Sequence, residues 1–510
     1  MAKTTKSGKA NKKLVSGGMI VVIVAIVLII ACFFTYISGV LPRTLTGVAI
    51  TETLPDGTTK TVKNFNLLET NMHFKEVFST YSNYGMVTQE ALDAIYNEST
   101  GETYRDWILR EAASQMRTLA LVERAAQQSG FMQYSKAHDY AAAQTASVDA
   151  YAAMYGFQSA QQYMAAMYGT GMTTRDFIDF SAREILVTEY GYYLKQFDPT
   201  IVPNAEQVQA EFDANPNTYY TYDFNRYFIT AAKDADGNIT GLEDAVAAAN
   251  KIASATKDSA SFRQAVIDYL KDKGDETTLA TFDNDADPTW YEGYTNESIA
   301  YMDSDIQDFF YGDAKPGDVK VVETTTGAFV VYLADRKLDE TQTVSYRVLQ
   351  LDNPAAKKVD ATAEEIAQGA QDLAAEAATY ATNGMDPFSF YNVVKSHTEY
   401  GEAMLDGGYV SGATAESFVS SDESNPLDMA QVQAGMWLLE EGRQQGDVKI
   451  FISDDQKTVY VYYFEESAPA WQNAVKTAMI TTNFSNWNSD LMVNDPHYEV
   501  NAGLLKAFIY

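Results

Sequence analysis

The chain has 510 residues, more than one hydrophobic core accommodates, so about two to four domains are expected. Apolar residues make up 46% and charged residues 21%, which excludes a wholly disordered chain and a multi-span membrane protein. The 69 acidic residues outnumber the 37 basic ones and give a net charge of −32, so we expect no nucleic-acid partner.

The N-terminal region contains an apolar run. Residues 19–37 carry no charged side chain. A run of this length is about what a helix needs to cross the hydrocarbon core of a membrane. Several lysines precede this run and Arg43 follows it. The positive-inside rule therefore predicts a cytoplasmic basic tail at 1–18 and a transmembrane anchor at 19–38. The expected protein is single-pass in the cell membrane, with its bulk extracytoplasmic.

Cys32 leaves an alternative open for this segment. Residues 29–32, Ile-Ile-Ala-Cys, match the loose pattern of a lipoprotein signal, in which Cys32 would carry a lipid. The apolar run continues beyond Cys32, which favours the uncleaved anchor. Because Cys32 is the only cysteine, an intramolecular disulfide and a cysteine-rich zinc site are excluded.

The next segment, 45–215, is predicted to be a mainly helical domain. It opens with a hairpin at 45–64, turning at Pro55-Asp56-Gly57, and continues with apolar residues at helical spacing over 65–195. Residues 140–170 are rich in Ala, Tyr and Met. Ordinary helix packing is the favoured interpretation of these side chains. The functional alternative is an adaptable apolar surface for unfolded chains.

The second half of the chain repeats itself. Gly-Asp-Val-Lys occurs at 317–320 and at 446–449, each time before a strand rich in Val and Tyr. Each copy also has an upstream strand and an alanine-rich helix in the same order, which predicts a duplicated α+β unit. The predicted domains are 222–337 and 343–468. Residues 469–510 form a helical tail whose apolar positions we expect to pack on the helical domain.

Four stretches of the chain carry a family resemblance: residues 103–132, 202–229 and 315–337, and the turn Gly407-Gly408-Tyr409-Val410. The three longer stretches resemble the SurA/PrsA group of exported foldases, and the turn resembles the Gly-Gly turn of parvulin-type prolyl isomerases. The resemblance implies a multidomain α+β fold. It consists of the N-terminal transmembrane helix, a mainly α-helical chaperone lobe, two parvulin-like α+β domains and a C-terminal helix that returns to the lobe.

The chain departs from this family at the positions that carry the chemistry. The resemblance places the two strand histidines of active parvulins at Tyr227 and Phe329 in the first copy and at Arg347 and Tyr460 in the second. None of the four is histidine, so we expect weak or no rotamase activity and no confident catalytic residue. The resemblance places the family's proline pocket at Val410, Phe418 and Leu427. The alternative is that all three are core residues of the domain, and for Phe418 and Leu427 the two interpretations are equally compatible with the sequence.

The expected function is a chaperone or foldase that binds unfolded or partly folded exported proteins. An active parvulin-type prolyl isomerase and an envelope scaffold for one dedicated partner remain alternatives. The four histidines show no metal-ligand spacing, and the chain has neither a phosphate-binding glycine loop nor a Gly-x-Ser-x-Gly elbow. We therefore expect no cofactor and no metal.

Overall fold

The computed structural model describes residues 40–282, 287–398, 401–419, 427–493 and 496–508. The strands in these ranges are β1 (Thr46–Thr53), β2 (Thr59–Asn66), β3 (Ile95–Asn97), β4 (Glu102–Thr103), β5 (Tyr220–Thr230), β6 (Trp290–Tyr294), β7 (Val319–Thr324), β8 (Gly327–Leu338), β9 (Gln342–Asp352), β10 (Tyr409–Ala413), β11 (Val448–Ile452), β12 (Thr458–Pro469) and β13 (His497–Val500).

The α-helices are α1 (Val40–Thr44), α2 (Leu67–Asn83), α3 (Tyr104–Gln128), α4 (Ala137–Gln144), α5 (Val148–Met154), α6 (Ala160–Tyr168), α7 (Thr174–Phe197), α8 (Ala205–Ala214), α9 (Leu242–Ala255), α10 (Ser259–Lys273), α11 (Glu276–Leu279), α12 (Asn296–Ile299), α13 (Ser304–Tyr311), α14 (Ala363–Tyr380), α15 (Pro387–His397), α16 (Ala403–Asp406), α17 (Met429–Leu438), α18 (Ala470–Asp490) and α19 (Ala502–Phe508). Short 3-10 helices lie at Gln89–Ala91, Phe131–Gln133, Thr145–Ser147, Pro216–Tyr219, Ala280–Phe282, Pro354–Lys357 and Ala415–Phe418.

The described residues form two compact units. The first unit contains residues 40–193, 401–406 and 486–508, and the second contains 194–398 and 407–485, with the gaps given above. Four small sheets are present among these residues: one of three strands, two of four strands and one of two strands. The fold is a mixed α+β multidomain arrangement.

The membrane-spanning part of the predicted fold requires correction. No helix in the described ranges is both long enough and apolar enough to cross a bilayer. The longest, α3 and α7, carry charged side chains along their whole length, which are costly in hydrocarbon. This finding contradicts the predicted fold class, which included a transmembrane helix, and the predicted single-pass localisation. Neither is retained. Residues 1–18, the predicted span 19–38 and Cys32 lie outside the described residues.

The first unit is built around a three-stranded antiparallel sheet in the order β13-β1-β2. Strand β1 is central, and Val48 pairs with Phe65 of β2 on one side and with Val500 of β13 on the other. The β1–β2 hairpin turns at Gly57, whose φ of 80° lies in the left-handed region that glycine adopts without strain. Val48 is fully buried and belongs to a cluster with Met116 of α3.

Helices α2 and α3 begin at capping side chains. Asn66 accepts a hydrogen bond from the Glu69 backbone amide at the start of α2, and Thr103 forms a reciprocal capping box with Asp106 at the start of α3. The two helices bury Leu67, Phe74, Trp107 and Ile108 in a common cluster, which Leu505 of α19 completes. Segments from both ends of the described chain therefore share one core.

The C-terminal tail contacts different partners along its length. Trp471 and Val475, near the start of α18, are buried in the second unit with Val208 of α8. In the first unit, the ring centroids of Trp487 and Tyr190 lie 6.0 Å apart. Strand β13 pairs with β1, and α19 contributes Leu505 to the core that α2 and α3 share.

The second unit contains two four-stranded sheets of the same topology. Their orders are β6-β5-β8-β7 and β10-β9-β12-β11, so the opening strand and the last strand of each copy are central and antiparallel. In the first sheet, α9 and α10 cover one face and α12 and α13 cover the other. In the second, α17 covers the face that corresponds to α13.

The repeated Gly-Asp-Val-Lys segment has the same structure in both copies. Gly317 and Gly446 have φ of 102° and 95°. Gly317 precedes β7, which pairs with β8, and Gly446 precedes β11, which pairs with β12. The Gly317 amide donates to the Leu333 carbonyl at 2.8 Å, and the Gly446 amide donates to the Phe464 carbonyl at 3.1 Å. The two copies of the motif therefore form the same turn, with glycine at a positive φ in each.

Replacing Leu505 with alanine should destabilise the first unit by about 2–4 kcal/mol, because the change leaves a cavity at a fully buried position of the core. Hydrogen exchange of the β1 amides measures the loss in this unit alone. Leu504→Ala, at the half-buried neighbouring position, is the control and should cost less. Equal losses in the two variants would contradict the packing of α19 described here.

Candidate functional site

The positions that the family resemblance assigns to histidines do not meet in the first copy. Tyr227 packs with the cluster under α9 and α10, whereas Phe329 packs with the cluster on the opposite face of the same sheet. Phe329 instead contacts Phe228, directly opposite it on β5, at a ring-centroid distance of 4.5 Å. Tyr227 borders a cavity of about 470 Å³ that is also lined by Tyr269 and Lys273 of α10.

The second copy shows the same separation. Tyr460 packs in the α17 cluster, where the side chains from β9 are Val344, Tyr346 and Val348. Arg347 lies between Tyr346 and Val348 on the same strand. Because successive side chains of a strand alternate between its faces, Arg347 points to the other face of the sheet. A strand alternates its side chains, so an alignment offset of one residue moves a side chain to the opposite face.

Arg347 is the most deeply buried charged side chain of this copy, with 1% of its surface exposed. Its Nε lies 2.5 Å from Oε1 of Glu465, and its guanidinium carbon lies 5.1 Å from the ring centroids of both Phe197 and Tyr409. Burial raises the pKa of Glu465, and the charge of Arg347 opposes that shift. The arrangement is that of an ion pair enclosed by aromatic rings.

The predicted proline-pocket residues lie in or beside the core of the second copy. Phe418 is 6% exposed and packs in the α17 cluster, and Val410 borders the same cluster. A Cβ built on Gly435 of α17 would lie 2.1 Å from the Phe418 ring, so that ring is tightly enclosed. Leu427 is half-buried, adjoins undescribed residues 420–426 and is not among the side chains of that cluster.

A groove in the first unit offers a more open surface. It lies between α2 and α6, has a volume of about 580 Å³ and is named here the α2–α6 groove. Its apolar lining consists of Phe74, Phe78, Leu92, Ala166, Met167 and Tyr168, and its polar lining consists of Asn71, Lys75, Glu76, Ser79, Thr80, Gln89 and Arg105. It combines an aromatic and Met-containing wall with charged groups of both signs.

Exposed tyrosine and methionine side chains are concentrated in the same unit. They are Tyr84, Met86, Tyr96, Met132, Tyr134, Tyr151, Met154, Tyr155 and Met167. Tyr155, just after α5, stacks on Tyr163 of α6 with ring centroids 6.0 Å apart, so this exposed surface is continuous with the helix that borders the groove. Sequence analysis favoured ordinary packing for residues 140–170, and several of these side chains are instead exposed.

Helix α2 buries an unusual run of polar residues behind the groove. Residues 67–74, Leu-Leu-Glu-Thr-Asn-Met-His-Phe, are all buried, although a helix buried on every side is normally apolar. Glu69 forms an ion pair with Arg183 of α7, and burial still raises the pKa of this carboxyl. Helices α2 and α7 are thus connected through charges as well as through apolar packing.

A second charged contact lies one turn further along α2. His73, which is 1% exposed, places Nδ1 at 2.9 Å from Oε1 of Glu184 and 3.5 Å from Oε2 of Glu76. We call these three residues the His73 cluster. Burial alone would lower the pKa of His73, but the two carboxylates outweigh it and raise the pKa to about 9. The contact with His73 in turn keeps the pKa of Glu184 below its usual range, although burial opposes that shift.

The His73 cluster was not predicted from the sequence. The spacing among the four histidines gives no signal for it, whereas His73 and Glu76 share one helix face three residues apart. That short spacing is the only local signal. Glu184 lies on another helix, so its approach to His73 follows from the tertiary fold.

Replacing Arg347 with alanine should lower the stability of the second sheet by about 3–5 kcal/mol, because Glu465 would remain buried without its counter-charge. Hydrogen exchange of the β9 amides reports this loss locally. Lys457→Ala is the matched control in the same copy, since Lys457 and Asp455 form an exposed pair at 3.1 Å that should contribute less than about 1 kcal/mol. A loss no greater than that of the control would show that the buried pair is not a structural element.

No family model matches this chain, and no curated protein matches it. The resemblance to the SurA/PrsA group therefore rests on the residues quoted above and stays a prediction.

Proposed function

We propose that this protein is a chaperone that binds unfolded or partly folded polypeptides through its first unit. The binding surface consists of the α2–α6 groove and the exposed tyrosine and methionine side chains around α5 and α6. The observation that carries this proposal is the concentration of those side chains beside an open groove. Exposed apolar patches on folded domains commonly mark binding sites.

The chemistry of this surface suits variable partners. Methionine is unbranched and polarisable, so it adapts to side chains of different shape. Tyrosine contributes a large apolar ring and a hydroxyl that can hydrogen-bond to a bound backbone. A surface rich in both can bind many sequences weakly instead of one sequence tightly. These are the properties that a chaperone surface requires.

The net charge of −32 favours basic polypeptides among the unfolded segments. Long-range attraction accelerates the encounter with positively charged chains and weakens as salt increases. Within the groove, the partly exposed carboxylate of Glu76 can attract a client's lysine or arginine, while Phe78 and Met167 offer apolar contacts to its other side chains. We therefore expect basic clients that also contain apolar residues.

The parvulin-like sheets serve in this proposal as supporting modules without strong rotamase activity. Proline isomerisation faces a barrier of about 18–20 kcal/mol, and a rotamase lowers it by binding the ring in an apolar pocket and stabilising the twisted amide. Here the aligned positions lack histidine, and Phe418 is buried against α17. These features disfavour the alternative of an active isomerase.

The chaperone proposal predicts that the whole chain suppresses aggregation of an unfolded basic client, for which reduced lysozyme is a suitable probe. Met154→Asp should raise the concentration needed for half-maximal suppression by about three- to tenfold, the effect of losing about 1 kcal/mol of apolar contact. The matched control is Met436→Asp, an exposed methionine of α17 in the second unit, which should leave suppression unchanged.

Two results would contradict this assignment. Equal effects of Met154→Asp and Met436→Asp would remove the binding surface from the first unit. Failure to suppress aggregation of reduced lysozyme and of a second, unrelated basic client would favour the alternative of a scaffold for one dedicated partner.

In a prolyl-peptide isomerisation assay, the whole chain should leave the spontaneous rate, with its time constant of tens to hundreds of seconds, almost unchanged. Rate enhancement typical of an active parvulin would refute the proposed division of labour. Val410→Asp then tests the location of that activity, since Val410 borders the second sheet's core.

A further inference from the structure

We propose that the His73 cluster binds one divalent transition-metal ion, with Zn²⁺ as its best-fitting occupant. This site goes beyond the proposed chaperone function. His73 and Glu76 come from α2 and Glu184 comes from α7, and one ligand atom of each lies within 4.8 Å of the other two. A bound ion would therefore connect the two helices at a single point.

The distances within the cluster suit such an ion. Zinc binds imidazole nitrogen and carboxylate oxygen at about 2.0–2.2 Å, so two ligand atoms in a tetrahedral site lie about 3.4 Å apart. Nδ1 of His73 lies 2.9 Å and 3.5 Å from the two carboxylate oxygens. Small adjustments of these side chains would place all three atoms around one ion.

The donor set selects the class of metal. One imidazole and two carboxylates form a mixed nitrogen and oxygen site, which suits Zn²⁺, Co²⁺ and Mn²⁺. Calcium takes six to eight oxygen ligands, and magnesium retains most of its water, so neither matches these three groups well. The two carboxylates also neutralise the two charges of the ion, which lowers the cost of holding it in a partly buried position.

The burial of His73 is an independent observation in favour of a ligand. Its Nε2 has no hydrogen-bond partner among the described residues, and its Nδ1 is directed at the carboxylates without forming a well-aligned hydrogen bond to either. A buried imidazolium would leave a charged N–H group unsatisfied at Nε2. A neutral imidazole that binds metal through Nδ1 would leave only a neutral N–H group there, which costs less.

The site is also accessible to an ion. The side chains of Glu76 and Glu184 are 37% and 36% exposed, although His73 is not. Glu76 also borders the α2–α6 groove, so one ligand faces the largest cavity described above. An ion can reach the carboxylates first and then the imidazole.

The test is a Co²⁺ titration of the chelator-treated whole chain, in excess Mg²⁺ to occupy weak acidic sites. We expect one equivalent to produce visible d–d absorption, which Zn²⁺ abolishes by displacement. Glu184→Gln should weaken this binding by at least about tenfold, the lower end of the loss that even an outer-shell change causes. Thermal unfolding provides a second measurement, since Zn²⁺ should raise the midpoint of the wild type and not that of Glu184→Gln.

His138→Gln is the matched control, because His138 forms an exposed pair with Asp179 of α7 at 3.3 Å. It should bind Co²⁺ as the wild type does. Glu76→Gln, at a partly exposed position, replaces Glu184→Gln if circular dichroism shows that the latter is unfolded. Absence of a tight Co²⁺ equivalent in the wild type, or its retention in the folded glutamine variant, would overturn the proposal.

Discussion

Strand β1 pairs along both of its edges, and the first unit depends on that double pairing. Its partners are β2, which follows at once, and β13, which lies near the other end of the described chain. Closing so long a loop costs conformational entropy before the contact between Val48 and Val500 can repay it. The buried side chains of β1, α3 and α19 together supply that compensation.

The same strand also determines how closely α2 can approach the sheet. A Cβ built on Gly47 would lie 2.5 Å from Oγ1 of Thr70, so only glycine permits the observed spacing. That spacing buries the polar run of α2, including Glu69 and His73, and makes charged partners from α7 necessary. A buried charge without a partner would cost several kcal/mol, so the two ion pairs follow from the close packing of α2.

The sequence predicted local features of this fold better than side-chain directions. The 45–64 hairpin and the repeated Gly-Asp-Val-Lys segment were visible because turns and repeats have local signatures. The sequence did not show which side chains of the opening strands, β5 and β9, lie on which face of their sheet. Residues 222–225 and 343–347 are buried in unbroken runs, so polar and apolar residues do not alternate in a way that reveals the two faces. Bulges beside Phe224 and Phe464 add further irregularity to the pairing.

One strand position holds a buried polar side chain in both sheets, but the side chain and its partners differ between the two copies. Asn225 and Arg347 occupy corresponding positions, since each follows the residue paired with Leu333 or Phe464 on the last strand. Asn225 donates hydrogen bonds to Thr289 and Asp287, whereas Arg347 pairs with Glu465. The same strand position thus holds a neutral amide that hydrogen-bonds to its neighbours in one copy and a charged side chain in an ion pair in the other. Comparing the sequences of the two copies cannot identify the partners of either residue.

The His73 cluster illustrates a different limit of sequence analysis, because its members are brought together only by the packing of α2 against α7. Its position gives it a consequence for the groove nonetheless. Glu76 belongs to the cluster and also borders the α2–α6 groove. Any positive charge held by the cluster, whether a proton or a metal ion, would reduce the negative potential at that wall of the groove. The charge state of the His73 cluster is therefore coupled to the electrostatic potential of the groove that Glu76 borders.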